Sequence, residues 1–395
     1  MTPKLLLPLL LLSTARAQSP QQVLQWINTP KAETHDVYEE IPFEYRNGSI
    51  VIRVTIGDDS YQYIFDTGGY NDITDDIQAK KHFPILTTET VGSSNRLKAK
   101  VNLVKVDSLK IGSLLFRDVA ALQMNFHHSP TIGCTVDGAL IGASIIHGYC
   151  WQIDYEHKKI IVTDHPDRLP GLGGSVKVPV AFNSRLMPFV MARLDGKDVR
   201  FMFDLGSSSP FILTEKNAEP YAAEKQFITI DGVTSEGGNG VIRQTIKVFK
   251  VDSLQLAGTC FRNTPVYSLP NITDNLIGNP IIKHFLVTLD FPDSAIYLTP
   301  TTPPKGGLET YGFSLKYDNG KTVVGSLYEG SAADRSGLRI GDTVTSVNGQ
   351  ALTFPDPCAA IPTLAALIGS EGDIELTILR DRSAVAVRIA KEKLF

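Results

Sequence analysis

The chain has 395 residues, a formal net charge of −4 and 43% hydrophobic residues. That length suits about two to three domains, and mild acidity without any Lys/Arg-rich run excludes a broad basic face for nucleic acid. No stretch has the roughly 20 apolar residues needed to span a bilayer.

The N-terminus, MTPKLLLPLLLLSTARAQ, is built like an export leader. Lys4 supplies the basic start, Leu5 to Leu12 the short apolar run, and Ala15-Arg16-Ala17 the small-x-small cleavage site. Cleavage is expected before Gln18, leaving 1–17 as signal peptide and 18–36 as an N-terminal extension. No cysteine follows the apolar run, so a lipid anchor is not expected. The mature protein is expected to be exported, to the periplasm or the outside.

From residue 37 the sequence alternates apolar and polar residues, which argues strands. PFEYRNGSIVIRVTIGDDSYQY leads into IFDTGGYNDIT, with Asp66 ahead of Thr67, Gly68 and Gly69. Alone, Asp-Thr-Gly is an ordinary turn. A Gly/Ser turn at Val91–Asn95, with Gly92 and Ser93 near its tip, lies between alternating arms. His127-His128 reads as a solvated turn. DGALIGASIIHGYCWQIDY then carries Leu140-Ile141-Gly142 and one short helical turn, Ser144 to His147.

The second half repeats this order. PVAFNSRLMPFVMARLDGKDVRF leads into MFDLGSSSPFILTE, which sets Asp204, Leu205, Gly206 and Ser207 opposite Asp66, Thr67, Gly68 and Gly69. FKVDSLQLAGTCFRNT answers VKVDSLKIGSLLFRDV, and DNLIGNPIIKHFLVTLDF brings Leu276-Ile277-Gly278. A second Gly-rich turn, Ser235–Gly240, contains Gly237 and Gly238. Four matched blocks in one order imply a duplicated β-rich lobe, 37–170 and 171–303. If the copies pack about a two-fold axis, Asp66 and Asp204 meet. Two carboxylates in contact cannot both ionise cheaply, so they share a proton. The charged member can then take a proton from water while the other donates one to a carbonyl oxygen.

These motifs resemble the aspartic proteases of the pepsin and retropepsin superfamily, above all the bacterial retropepsin-like kind with a PDZ domain. The resemblance implies a mainly β fold, with bilobal aspartic-protease β-barrel lobes and a C-terminal PDZ domain. It implies that Asp66 and Asp204 are catalytic and that Thr67, Gly68, Gly206 and Ser207 support them. It implies that Ile141-Gly142 and Ile277-Gly278 brace the aspartate loops from behind, and that the two Gly-rich turns are flaps. Pepsin's flap tyrosine has no counterpart between Leu86 and Val104. Two departures stand out. Leu205 cannot make the cross-lobe hydroxyl contact that a threonine makes, and Gly69 offers no hydroxyl to orient Asp66, whereas Ser207 offers one to Asp204.

Beyond a linker at 304–310, TYGFSLKYDNGKTVVGSLYEGSAADRSGLRIGDTVTSVNGQ resembles a PDZ domain, 311–395. The resemblance implies that Tyr311-Gly312-Phe313 cups a C-terminal carboxylate and that an extended peptide adds to the sheet edge. Pro357 to Ile368 reads as the groove helix, and two alternating strands close the chain. A domain that packs on the lobes and binds nothing is the alternative.

The four cysteines are Cys134, Cys150, Cys260 and Cys358. In an oxidising compartment Cys134 is offered to Cys150, against four buried free thiols. Neither C-x-x-C nor a Cys/His cluster of metal-ligand spacing appears, and no metal or organic cofactor is expected. Ser207-Ser208-Ser209 lacks the glycine of a serine elbow, because Pro210 stands there. The expectation is a monomeric aspartic endopeptidase acting on protein or peptide. The competing reading is an inactive lobe pair that binds a chain without cutting it.

Overall fold

A computed structural model describes residues 18–222, 224–302 and 306–395. The leader over 1–17, Pro303 at the end of the second lobe, and Pro304 and Lys305 of the linker lie outside the described residues.

Each aspartate block begins as a hairpin. Ser49–Ile56 pairs with Asp59–Phe65, and Pro188–Leu194 with Lys197–Asp204. Period-two alternation turns Ile50, Ile52, Val54 and Ile56 into one core face, each at most 1% exposed. On the other face Val51 packs with Ile64 and Val136, so this strand is covered on both sides. The second hairpin turns at Asp195-Gly196, both at positive φ, a turn whose twist suits the flanking strands. A short parallel strand then lies beside the end of each hairpin. Leu140–Ile141 pairs with Ile64 and Phe65, and Leu276–Gly278 pairs with Met202, Phe203 and Asp204.

Long hairpins rise from each lobe at the expected Gly-rich turns. Flap 1 joins Ile85–Gly92 to Lys98–Ile111, and flap 2 joins Ile228–Gly237 to Gly240–Leu256.

A six-stranded sheet ties the lobes together. Its order is Val176–Pro179, Ala295–Pro300, Phe285–Asp290, Cys150–Asp154, Lys159–Thr163, Tyr38–Pro42. Each lobe supplies three adjacent strands, and Cys150–Asp154 meets Phe285–Asp290 at the centre. One apolar core, including Trp151 and Phe285, runs across it. The N-terminal extension, to which the sequence reading gave no structure, is ordered. Pro20–Asn28 is a helix capped by Ser19, Ile27 is buried, and Lys31–Ala32 pairs onto Leu114–Met124. Among the described residues no helix is long and apolar enough to cross a membrane.

The C-terminal unit has its own core around Tyr311, Phe313, Val324, Leu338 and Ile378. Its helix spans Pro357–Ile368, as its sequence implies, with the Asp356 carboxylate accepting from Ala359 N. The unit is fused to the second lobe: Lys321–Tyr328 pairs with flap 2 at Ile230↔Tyr328 and Asp231↔Leu327.

The cysteine expectation is corrected. Cys134 bonds to Cys358, 224 residues away, and not to Cys150. Cys150 sits in the central interlobe pair, where its thiol donates to Asp290 Oδ1 at 3.1 Å. Burial, then that contact, pushes the Cys150 thiol far up. Cys134 instead lies on the short helix Pro130–Thr135, against the helix that carries Cys358. The alternative of four buried free thiols fails as well; Cys150 and Cys260 are free, and Cys260 is only half-buried.

Candidate active site

The two hairpins deliver Asp66 and Asp204 to the floor between the lobes, 7% and 8% exposed. Each loop is pinned from behind. Asp66 N donates to Ile141 O, and Asp204 pairs with Gly278 in the parallel register. The crossings are tight: a Cβ on Gly142 would come within 2.2 Å of Tyr70 C, and one on Gly278 within 2.2 Å of Ser209 O. Ile141-Gly142 and Ile277-Gly278 thus lie directly behind the two aspartate loops.

The carboxyl groups meet across the pseudo-two-fold axis. A Cβ on Gly68 would lie 2.6 Å from Asp204 Cγ, and one on Gly206 would lie 2.3 Å from Asp66 Cγ. Each aspartate therefore rests on the other loop's glycine, and the two side chains are hydrogen bonded. Gly68 N donates to Asp66 Oδ1 at 2.7 Å, and Gly206 N to Asp204 Oδ1 at 2.8 Å. Burial and then the charge of Asp204 hold the Asp66 carboxyl well above the usual range. Burial also raises Asp204, against the opposing pull of Gly206 N–H, the Asp66 contact and Ser207 N–H. Both carboxyls are raised, so the pair holds a shared proton above the usual carboxylate range.

The two departures have physical answers. Ser207 reaches Asp204 through its backbone N–H at 3.1 Å, while its hydroxyl accepts from Ser209 N. Gly69 lacks a hydroxyl, as the sequence states, and reaches Asp66 through its backbone N–H instead. A side chain at position 69 has no room, since its Cβ would fall 2.5 Å from Asp66 Oδ2.

Thr67 is fully buried, and its Oγ1 donates to Phe203 O at 2.6 Å and accepts from Leu205 N at 2.9 Å. Half of the cross-lobe grip is therefore present. Leu205 is fully buried in the shared core and makes no polar return contact. Its carbonyl is instead held by Asn279 Nδ2, which also donates to Gly48 O at 3.0 Å. Asn279 Oδ1 accepts from Tyr155 OH of the first lobe at 2.6 Å. Tyr155 and Asn279 thus supply a second cross-lobe connection. The signal for Asn279 was available as the residue after Leu-Ile-Gly; Tyr155 carried none.

A further buried acid beside the dyad escaped the sequence reading. Asp72 is 7% exposed, and its Oδ1 has no hydrogen-bond partner. Burial and then the charge of Asp66 push its carboxyl well above the usual range. A raised folded value means that the folded chain holds this proton where the unfolded chain releases it. Stability from this group therefore falls as pH rises from about 4 toward the folded value. Asp72→Asn is expected to flatten the slope of stability against pH by up to ~1.4 kcal/mol per pH unit over that window. Thermal melts at pH 4 and pH 7 check this: the variant should match the parent at the lower pH and exceed it at the higher.

The flaps are closed on each other. Asn95 Nδ2 of flap 1 donates to Ser235 O and Gly240 O at 3.0 and 2.9 Å. In return Asn239 Nδ2 of flap 2 donates to Val91 O and Leu97 O at 2.8 and 2.9 Å. Of the expected flap residues, Gly237 packs on Ser93 and Gly238 on Met124, while Gly92 faces open space.

In the C-terminal unit Tyr311 is fully buried and its hydroxyl donates to Gly372 O at 2.7 Å. Gly312, at φ +83°, has room for no side chain beside Ser331. Its N–H already donates to Thr310 Oγ1 at 3.0 Å, and its carbonyl accepts from Tyr328 N at 2.8 Å. Phe313 opens the strand Phe313–Asp318, whose outer side faces the helix.

Comparison with known proteins agrees with this architecture. Residues 190–281 match the family model described as aspartyl protease, and residues 323–373 match that described as PDZ domain. The matched segment of the second lobe contains Asp204, flap 2 and Leu276-Ile277-Gly278. No curated protein matches the chain.

Proposed function

We propose that this chain, which carries an aspartyl protease domain and a PDZ domain, is an exported, monomeric aspartic endopeptidase. The observation that carries the reading is the contact of two buried carboxyls, each set against the other loop's glycine. Asp204, kept ionised by Gly206 and Ser207 N–H groups, takes a proton from a water as that water attacks the scissile carbonyl carbon. Asp66 donates its proton to the carbonyl oxygen. In the second step the tetrahedral intermediate collapses, the C–N bond breaks, and the amine leaves with a proton from the dyad. No covalent intermediate forms. One chain supplies both aspartates, so a second copy is not needed. Export rests on the Lys4–Ala17 leader, to the periplasm or the outside. The PDZ groove between Phe313–Asp318 and the helix Pro357–Ile368 would take a C-terminal peptide.

The mechanism sets the pH dependence. Activity needs Asp204 charged, which gives the acid limb, and Asp66 protonated, which gives the alkaline limb. Hydrolysis of an unfolded protein is expected to be bell-shaped between pH 3 and 7. Because burial raises both groups, the alkaline limb should reach into the weakly acidic range. Absence of turnover at every pH would favour the second reading, a peptide-binding lobe pair. The fully apolar Leu205 and the interlocked flaps are the observations on that side.

A further inference from the structure

We propose that the Cys134–Cys358 disulfide is a redox-sensitive clasp that keeps flap 2 shut. The proposal concerns access to the dyad, and its effect on turnover rests on the peptidase reading above.

Flap 2 is held at two levels. Near its base, Ile230 and Asp231 pair with Tyr328 and Leu327 of the PDZ domain, and Glu329 N donates to Thr229 O at 2.9 Å. Just beyond, at Gly232, the register shifts before the arm continues to the tip. Such an irregularity is where a hairpin bends. At the tip, Ser129 Oγ donates to Gly237 O at 2.6 Å, and Ile132 N donates to Glu236 Oε1 at 3.0 Å. Both of these groups belong to the short segment that carries Cys134. The disulfide fastens that segment to the PDZ helix at Cys358. Flap base, PDZ domain, disulfide and tip segment thus form a closed ring around the flap. Without the S–S bond, what holds the tip segment against the PDZ helix is the packing of Pro130–Thr135 on Pro357–Ile368.

Cys358 is exposed, and Cys134 is half-buried. Exposed disulfides are the labile ones in thiol exchange. A dithiol reductant is the required co-reactant. Its thiolate attacks Sγ of Cys358, the S–S bond breaks, and Cys134 leaves as thiolate and is protonated. The second thiol of the reductant then closes on the mixed disulfide and frees Cys358. The protein gains two electrons and two protons, and the dithiol loses the same and becomes a disulfide. Cys150, buried in the interlobe sheet, stays out of this exchange.

The test is amide hydrogen exchange on the full mature chain, oxidised and after treatment with dithiothreitol, beside Cys358→Ser and Cys134→Ser/Cys358→Ser. Exchange at 234–241 is expected to quicken at least tenfold on reduction and to be fast in both variants without reductant. Exchange in Pro188–Asp204 should stay slow, which separates flap release from general loosening. Equal exchange at 234–241 in oxidised and reduced protein overturns the clasp, as does loosening of both segments together. Cleavage of an unfolded protein at the acid optimum is measured in parallel. A several-fold rise on reduction supports the clasp as a gate. Flap release with no cleavage in either state upholds the clasp and removes the peptidase reading.

Discussion

Asp204→Asn is expected to lower kcat by about 10³-fold or more, within the range that a positioned acid or base contributes, while the chain folds normally. Asparagine keeps the shape and leaves an oxygen for the Gly206 and Ser207 N–H groups. What it removes is the negative charge that takes a proton from water. It also removes the charge that raises Asp66, so Asp66 should lose its proton at lower pH and the remaining general acid should fail sooner. Stability should move the other way. Asp204 is raised by burial, so its contribution to stability falls as pH climbs above about 4. Asparagine does not titrate, and the variant's melting temperature at pH 7 should equal or exceed that of the parent. Activity lost with stability kept is the signature of a catalytic carboxyl. A variant that melts early at both pH 4 and pH 7 would mark Asp204 as a structural turn residue. Asp66→Asn should lose activity to a similar degree.

What the sequence made legible was local and repeated. Asp66 and Asp204 could be paired because each copy carries the same short strand, loop and Leu-Ile-Gly brace, and period-two alternation survives in every arm. The PDZ domain was legible for a similar reason: its turns need Gly or Asn at fixed places, and its helix is bounded by Asp356 and Gly369. What stayed hidden depends on contacts between distant segments. Cys358 gives no hint that it reaches Cys134, because the packing of helix Pro130–Thr135 on the PDZ helix follows from how the lobes and the PDZ domain assemble. The pairing of Ile230 with Tyr328 joins two strands that would each look complete in their own domain. Asp72 drew no reading from the sequence, and only the folded chain shows its carboxyl buried near Asp66. Tyr155 carried no signal, although it closes the bridge through Asn279 to Leu205.

That bridge decides how much depends on Thr67. Thr67→Val is expected to destabilise the chain by about 2–4 kcal/mol and to lower kcat by about 100-fold. The change is nearly isosteric, so packing is kept and only the hydroxyl goes. Two buried backbone groups of the other lobe, Phe203 O and Leu205 N, then lose their partner. Neither can reach water, and each unmet group costs about 1–3 kcal/mol. The effect on rate has a separate origin. Phe203 and Leu205 flank Asp204, and the dyad works only while the two carboxyls stay in register across the axis. With a threonine on both sides, loss of one would leave the reciprocal pair. Here Leu205 returns nothing, and the other tie at this loop runs from Tyr155 OH and Gly48 O to Asn279, which holds the Leu205 carbonyl and not the Asp204 side of the loop. Thr67→Ser retains the hydroxyl and should stay within several-fold of the parent in kcat. Chemical melts and initial rates on the two variants separate the contributions. If valine and serine at position 67 behave alike, the hydroxyl is not what aligns the dyad, and the alignment must come from the other cross-lobe contacts, the Asn279 bridge and the interlobe sheet.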